Sequence, residues 1–339
     1  MNNRNIALDI AKGIGIILVV LGHNWSVLRE EGEVYRIIFS FHIPLFLFIS
    51  GLFLKDDDSL GRFTASRADA LLKPFLGIAL LVCILRVFGV TDHSPNTASG
   101  FVFFIQMLYS TRGYITLEWL PLWYLPYLFL ALFFSKGILQ STIKLPHRQN
   151  WIVGIIILLL AFGIWFANTI FLTNPRLPFT SDMLPVGTAI LLIGFLLKGR
   201  VQAMTFSLPL FLSSVFAFSL LHYFFNDTID LGARIYSDPV ISTLQAGLGT
   251  YMVLSISLLL KQVQSFSRFL VYMGTASLFI MMFHNFAQVN VYWGLLQWGY
   301  GDLPSNTMSF IAGVGFPIIL WEIAKRQRFL SRLFLPITL

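Results

Sequence analysis

Apolar residues in this chain come in stretches of about 17–25 residues, the length that crosses a bilayer as a helix. Polar segments between them are short. Ten membrane-length helices are predicted, over about 6–28, 36–54, 71–91, 121–140, 151–172, 184–198, 205–225, 240–261, 269–290 and 308–324. Barrel strands would instead alternate in short runs of about ten residues, so the expected class is an all-α integral membrane bundle. A shorter apolar run, Phe101 to Tyr109, falls inside the longest connection, about 92–120, and reads as an interfacial or re-entrant piece. No small-residue cleavage site follows the first stretch, which is therefore expected to stay as a helix. With no internal repeat and no low-complexity stretch, residues 1–339 are expected to form one transmembrane domain.

Composition agrees with this pattern. Hydrophobic residues make up 56% of the chain and charged residues only 12%, against about 25% charged in a soluble domain. The formal net charge of +7 would suit a nucleic-acid partner, but its distribution argues against one. Counted on alternate sides of the predicted helices, 16 Lys and Arg fall on one side and five on the other. The positive-inside rule then places both termini in the cytoplasm, and a bacterial inner or plasma membrane is the expected location. Cys83 is the single cysteine, so an internal disulfide is excluded. No Cys or His spacing fits a metal site.

The polar residues inside apolar stretches then carry the chemistry. Lys12 and His23 share the first stretch, and ionisable groups at such depth are functional candidates by default. Eleven residues of helix turn through about 1100°, so both project from one face, roughly 16 Å apart along the axis. Asp9, one turn from Lys12, is placed to pair with it. On the alternating topology His23, His42, His222 and His284 all fall in the outer half of the membrane. Glu118, Trp119, Trp123 and Tyr124 lie at similar depth. Lys12, Arg62, Arg67 and Lys73 fall on the cytoplasmic side. Each has a purely structural reading too: Lys12 snorkels, the basic loop anchors the membrane face, the aromatics form an interfacial belt, and Gly13, Gly15 and Gly22 allow close helix packing.

Several segments together resemble the acyltransferase 3 family of membrane O-acyltransferases. They are Leu8-Asp9-Ile10-Ala11-Lys12-Gly13-Ile14 running into Leu18-Val19-Val20-Leu21-Gly22-His23, then Phe41-His42-Ile43-Pro44 through Ser50-Gly51. The basic loop from Arg62 through Arg67 to Lys73-Pro74, Leu122-Trp123-Tyr124-Leu125, and Gly274-Thr275-Ala276-Ser277-Leu278 followed by His284 complete the match. Many members carry Arg where this chain has Lys12, and Lys-Gly at this point resembles the fucose O-acetylase-type branch. Lys keeps the charge but loses the bidentate fork. The resemblance implies transfer of an acyl group, acetyl from acetyl-CoA as the expected donor substrate, to a hydroxyl of a cell-surface carbohydrate or glycolipid, with no bound cofactor. It implies His23 as general base, with Lys12, Arg62, Arg67 and Lys73 holding acyl-CoA. Asp9, His42, Ser50, Glu118, Trp123, Tyr124, Ser277 and His284 are the supporting and acceptor-side residues. Two other classes compete. A polysaccharide or lipid-linked-sugar carrier would also bury charges, though no pseudo-symmetric broken helices are seen. A haem-bearing electron carrier would pair histidines across facing helices.

Overall fold

The structure is a computed structural model that describes residues 5–30, 32–88, 100–111, 115–169, 176–225, 228–236 and 238–337. Parts of the long connection at 92–120 and the end of the predicted span at 71–91 lie outside the described residues, as do Arg4 and Arg112 of the charge count. Fourteen α-helices are described. They are α1 (Ile6–Gly22), α2 (Trp25–Glu30), α3 (Glu33–Leu52), α4 (Leu60–Arg67), α5 (Lys73–Val87), α6 (Gly100–Tyr109) and α7 (Tyr124–Ser141), followed by α8 (Arg148–Thr169), α9 (Leu184–Gln202), α10 (Leu208–Phe225), α11 (Pro239–Leu260), α12 (Gln264–Gln297), α13 (Asp302–Arg326) and α14 (Arg328–Phe334). The only sheet among the described residues is the hairpin of β1 (Ile229–Asp230) and β2 (Ile235–Tyr236).

All ten predicted stretches contain helix. Eight of the described helical segments are long and apolar enough to cross a membrane. The first predicted stretch, α1, has 17 residues, about 26 Å of helix. Local signals explain the starts. Asn5 caps α1 by accepting from the Ala7 and Leu8 amides at 3.1 and 3.4 Å, and Asp238 caps α11 ahead of Pro239, which needs no amide partner. The third stretch is continuous from Leu60 to Val87, joined by a π-helical turn over Ala68–Leu72.

The chain forms two compact units. Unit 1 comprises residues 1–54 and 190–318, and unit 2 comprises 55–189 and 319–339. In unit 1, α1 packs along α12 and also meets α3 and α11, while α11 packs on α3 and α10. Gly13 abuts the backbone of Leu270, and Gly274 abuts that of Asp9, so an added Cβ at either would fall under 3 Å from a carbonyl oxygen. The backbones of α1 and α12 therefore touch, which is what small residues permit in a membrane. In unit 2, α7 packs on α4 and on the 3₁₀ turn Pro178–Met183, and α5 packs on α6 and α14.

Candidate active site

The end of α1 is where unit 1 brings together three of its histidines, His23, His42 and His284. His23 is the residue after the last helical one, Gly22, and caps α1 with φ −93° and ψ 1°. It therefore does not continue the helix of Lys12, as expected, but leaves it. His23 Nδ1 lies 3.0 Å from the Val19 carbonyl. On α3, His42 Nδ1 lies 2.9 Å from the Ile38 carbonyl. On α12, His284 Nδ1 lies 2.9 and 3.0 Å from the carbonyls of Ile280 and Met281. A carbonyl can only accept, so each Nδ1 carries a proton, and in the neutral form of such a ring Nε2 is the acceptor. The rings meet: His23 and His284 centroids are 5.2 Å apart, and His23 and His42 are 6.5 Å apart. Phe39 touches His23 and His42, and Tyr35 stacks on Phe39. His284 is fully buried, and its Nε2 has no hydrogen-bond partner. Leaving such an acceptor unsatisfied costs about 1–3 kcal/mol.

A polar network holds this helix end. Asn24 Nδ2 lies 3.0 Å from both the Asn306 carbonyl and Ser309 Oγ, and 3.3 Å from Gln288 Oε1. Its Oδ1 accepts from Ser26 Oγ at 2.8 Å. Gln288 Nε2 donates to the Val20 carbonyl at 2.9 Å. The last turn of a helix leaves carbonyls without intrahelical donors, and Gln288 supplies one. Asn24, Gln288, Asn306 and Ser309 are all buried. Gln288→Leu is expected to destabilise the purified protein by about 1–3 kcal/mol, read as a lowered unfolding midpoint in detergent, because it strands the buried Val20 carbonyl, while Asn24 keeps Asn306 and Ser309.

At the other end of α1, Lys12 Nζ lies 3.4 Å from Asp9 Oδ1 and 4.6 Å over the Phe53 ring. Ser50 and Ser277 are half-buried. They stand eight and seven residues from His42 and His284, about 12 and 10 Å along their helices, so neither belongs to the imidazole cluster.

The remaining candidates are in unit 2. Glu118, Trp119 and Trp123 are buried on the 3₁₀ turn Leu117–Trp123. Trp123 packs against Tyr124 and Tyr127, with centroids 5.8 and 5.4 Å away. Tyr127 donates to the Met183 carbonyl at 2.8 Å, whereas the buried Tyr124 hydroxyl has no partner. Among the basic residues, Lys73 is engaged with Asp69 Oδ1 at 2.7 Å and the Leu335 carbonyl at 2.8 Å. Arg67 lies over the Phe63 ring with its Nε unbonded, and Arg62 is exposed. Neither guanidinium forms an ion pair among the described residues.

Residues 5–324 match the family model of the acyltransferase domain Acyl_transf_3. The chain belongs to this family. The chain is also similar to Nodulation protein NolL of Sinorhizobium fredii, 32% identical over 124 residues, which are 34% of each chain. Nodulation protein NolL of Mesorhizobium japonicum is 36% identical over 95 residues, 25% of this chain and 26% of that one. The chain thus aligns with about a third or less of the length of these relatives. No solved structure matches it.

The imidazole cluster groups side chains of the kind that act as proton acceptors in general-base chemistry. Sequence reading brought out His23, His42 and His284 but passed over Asn24, Gln288, Asn306 and Ser309. One signal was present: Asn24 follows His23 directly, and Gln288 lies one turn beyond His284, on the same helix face. It also placed His222 in the outer half of the membrane with those three histidines. The His222 Nε2 lies 2.5 Å from Glu33 Oε2, and its ring stacks on Phe218. Among the described residues, no group of three His, Cys, Asp or Glu is arranged to hold a metal.

Proposed function

We propose that this multi-pass membrane acyltransferase moves an acyl group, acetyl from acetyl-CoA, onto a hydroxyl of a cell-surface carbohydrate or glycolipid at a bacterial plasma membrane. The observation that carries the reading is the imidazole cluster: Nδ1 of each ring is spent on a carbonyl, and the buried Nε2 of His284 waits for a donor. A sugar hydroxyl is such a donor. In the proposed step, the acceptor hydroxyl gives its proton to Nε2 of His23 as its oxygen bonds to the thioester carbonyl carbon. The carbon–sulfur bond breaks, and the proton passes to the departing CoA thiolate. His42 and His284 orient the acceptor. On the charge distribution, both termini face the cytoplasm, and the donor enters from there.

Lys12 is the proposed donor-side cation of unit 1. Asp9 lowers its burial cost, and Lys12 remains about a quarter exposed. Arg62 and Arg67 are the proposed phosphate contacts of unit 2, with uncommitted guanidinium groups. Lys73 keeps that role from sequence, although Asp69 and Leu335 already occupy it. Glu118, Trp123 and Tyr124 remain proposed acceptor residues, and the orphaned Tyr124 hydroxyl supports that. Lys12→Ala should weaken acetyl-CoA binding about tenfold or more, the worth of a charged hydrogen bond, while Lys12→Arg keeps most of it. Unchanged affinity in Lys12→Ala removes Lys12 from the donor site. The overall reading is tested by incubating purified protein with radiolabelled acetyl-CoA and oligosaccharides from bacterial surface glycans. Labelled ester is expected. Movement of glycan across vesicles without any ester would favour the carrier reading.

A further inference from the structure

Unit 1 also contains a cavity of about 390 Å³, within the range of roughly 300–1,000 Å³ typical of ligand pockets. No member of the imidazole cluster lines it. Its walls come from α3, α9, α11 and the hairpin, and are mostly apolar, with Phe48 and Leu197 among them. Arg200, in the last turn of α9, borders it, as do Tyr236 and Thr243. The Tyr236 and Thr243 hydroxyls bond to each other. The lining runs from Thr243 to Leu254 on α11 and from Ile190 to Arg200 on α9, roughly 15–17 Å of each helix, so the cavity is a slot along these helices with the cation and the hydroxyl pair among its bordering groups.

Two features say that the slot is built to be filled. Gly247 sits inside α11 and lines the cavity, yet an added Cβ there would meet nothing within 4 Å. Glycine inside a helix costs up to about 1 kcal/mol relative to alanine, and no helix contact accounts for it here, unlike Gly13 or Gly274. Arg200 is exposed and forms no hydrogen bond or ion pair among the described residues. Its neighbour Lys198, by contrast, donates to the Leu54 carbonyl at 3.2 Å. An apolar slot bordered by a free guanidinium matches an amphiphile with a chain and an anionic head. Arginine is the side chain best shaped for phosphate, and anionic lipids concentrate in the cytoplasmic leaflet, the side to which the charge distribution assigns Arg200.

We propose that this slot holds one acyl chain of an anionic membrane phospholipid, with its phosphate on Arg200. The site is separate from the acyl-transfer chemistry and stands or falls without it. The test uses the full chain, purified in mild detergent and exchanged into mixed micelles of phosphatidylglycerol and phosphatidylethanolamine with identical chains. Retained lipid is counted by native mass spectrometry. Wild type should retain phosphatidylglycerol about fivefold over phosphatidylethanolamine, the preference one basic side chain confers at an anionic surface. Arg200→Gln should level the two. Gly247→Trp should expel the lipid by filling the slot, whereas Gly247→Ala should retain it. Equal retention of both lipids by wild type, or undiminished phosphatidylglycerol in Gly247→Trp, overturns the proposal. Should Gly247→Trp fail to fold, the wild-type preference and its loss in Arg200→Gln decide.

Discussion

His23→Gln is expected to abolish acyl transfer while leaving a folded membrane protein. Glutamine is close in size and can still donate to the Val19 carbonyl that the imidazole now engages at 3.0 Å. It cannot take up a proton near neutral pH. Removing a positioned general base typically costs about 10²–10⁴ in rate. Even complete loss of that local hydrogen bond would cost only about 0.5–1.5 kcal/mol of stability, less than the several kcal/mol that holds a domain folded. Activity and folding should therefore separate, with near-wild-type unfolding and a rate at or below about 1% of wild type. His284→Gln tests the same cluster from the α12 side and should also impair transfer, because its unpartnered Nε2 is lost. His222→Gln is the control, since His222 pairs with Glu33 and stacks on Phe218, whereas His23 meets His42 and His284. Near-normal transfer by His23→Gln, or an equal loss in His222→Gln, would remove His23 from the role of base.

Much of this arrangement was legible before the structure. Each of the ten apolar stretches contains helix among the described residues, and eight described helices are long and apolar enough to cross a bilayer, where a helix satisfies its own backbone. The glycines of α1 announced close packing, and Gly13 does touch another backbone. What stayed hidden depends on partners distant in sequence. Nothing local says that Gly13 meets Leu270, or that Lys73 reaches Leu335. Periodicity carried the first helix past His23, because Asn24 and Trp25 are ordinary residues at a membrane helix end. The chain instead breaks at Gly22, where Asn24 finds Ser309 and the Asn306 carbonyl on α13. The basic loop shows the same limit. Charge counting treats Arg62, Arg67, Lys73 and Lys136 alike, yet Lys136 is fully buried and donates to the Lys55 carbonyl at 2.5 Å.

Substituting either glycine of the α1–α12 seam should have the largest effect on the fold. Gly13 faces the Leu270 carbonyl and Gly274 faces the Asp9 carbonyl, and a Cβ at either would lie under 3 Å from backbone oxygen. A flexible side chain could swing away from such a clash, but a helix backbone cannot, so the two helices must separate. Overpacking of this kind typically costs about 1–3 kcal/mol, occasionally more, and main-chain contact on both sides places these sites at the upper end. Gly274→Ala and Gly13→Ala should each lower the unfolding midpoint in detergent. The double variant should cost less than the sum, because the first separation already makes room for the second Cβ. The seam also sets the geometry of the proposed site. His23 ends α1 and His284 lies on α12, so a shift of about 1 Å between the helices moves one imidazole against the other, and displacements of that size can cost about 10² in rate. Gly247→Ala is the matched control: the same chemical change inside a helix, at a site where the new methyl meets open space. It should leave stability and rate near wild type. If Gly274→Ala proves equally harmless, the close approach of α1 and α12 is not what holds His23 against His284.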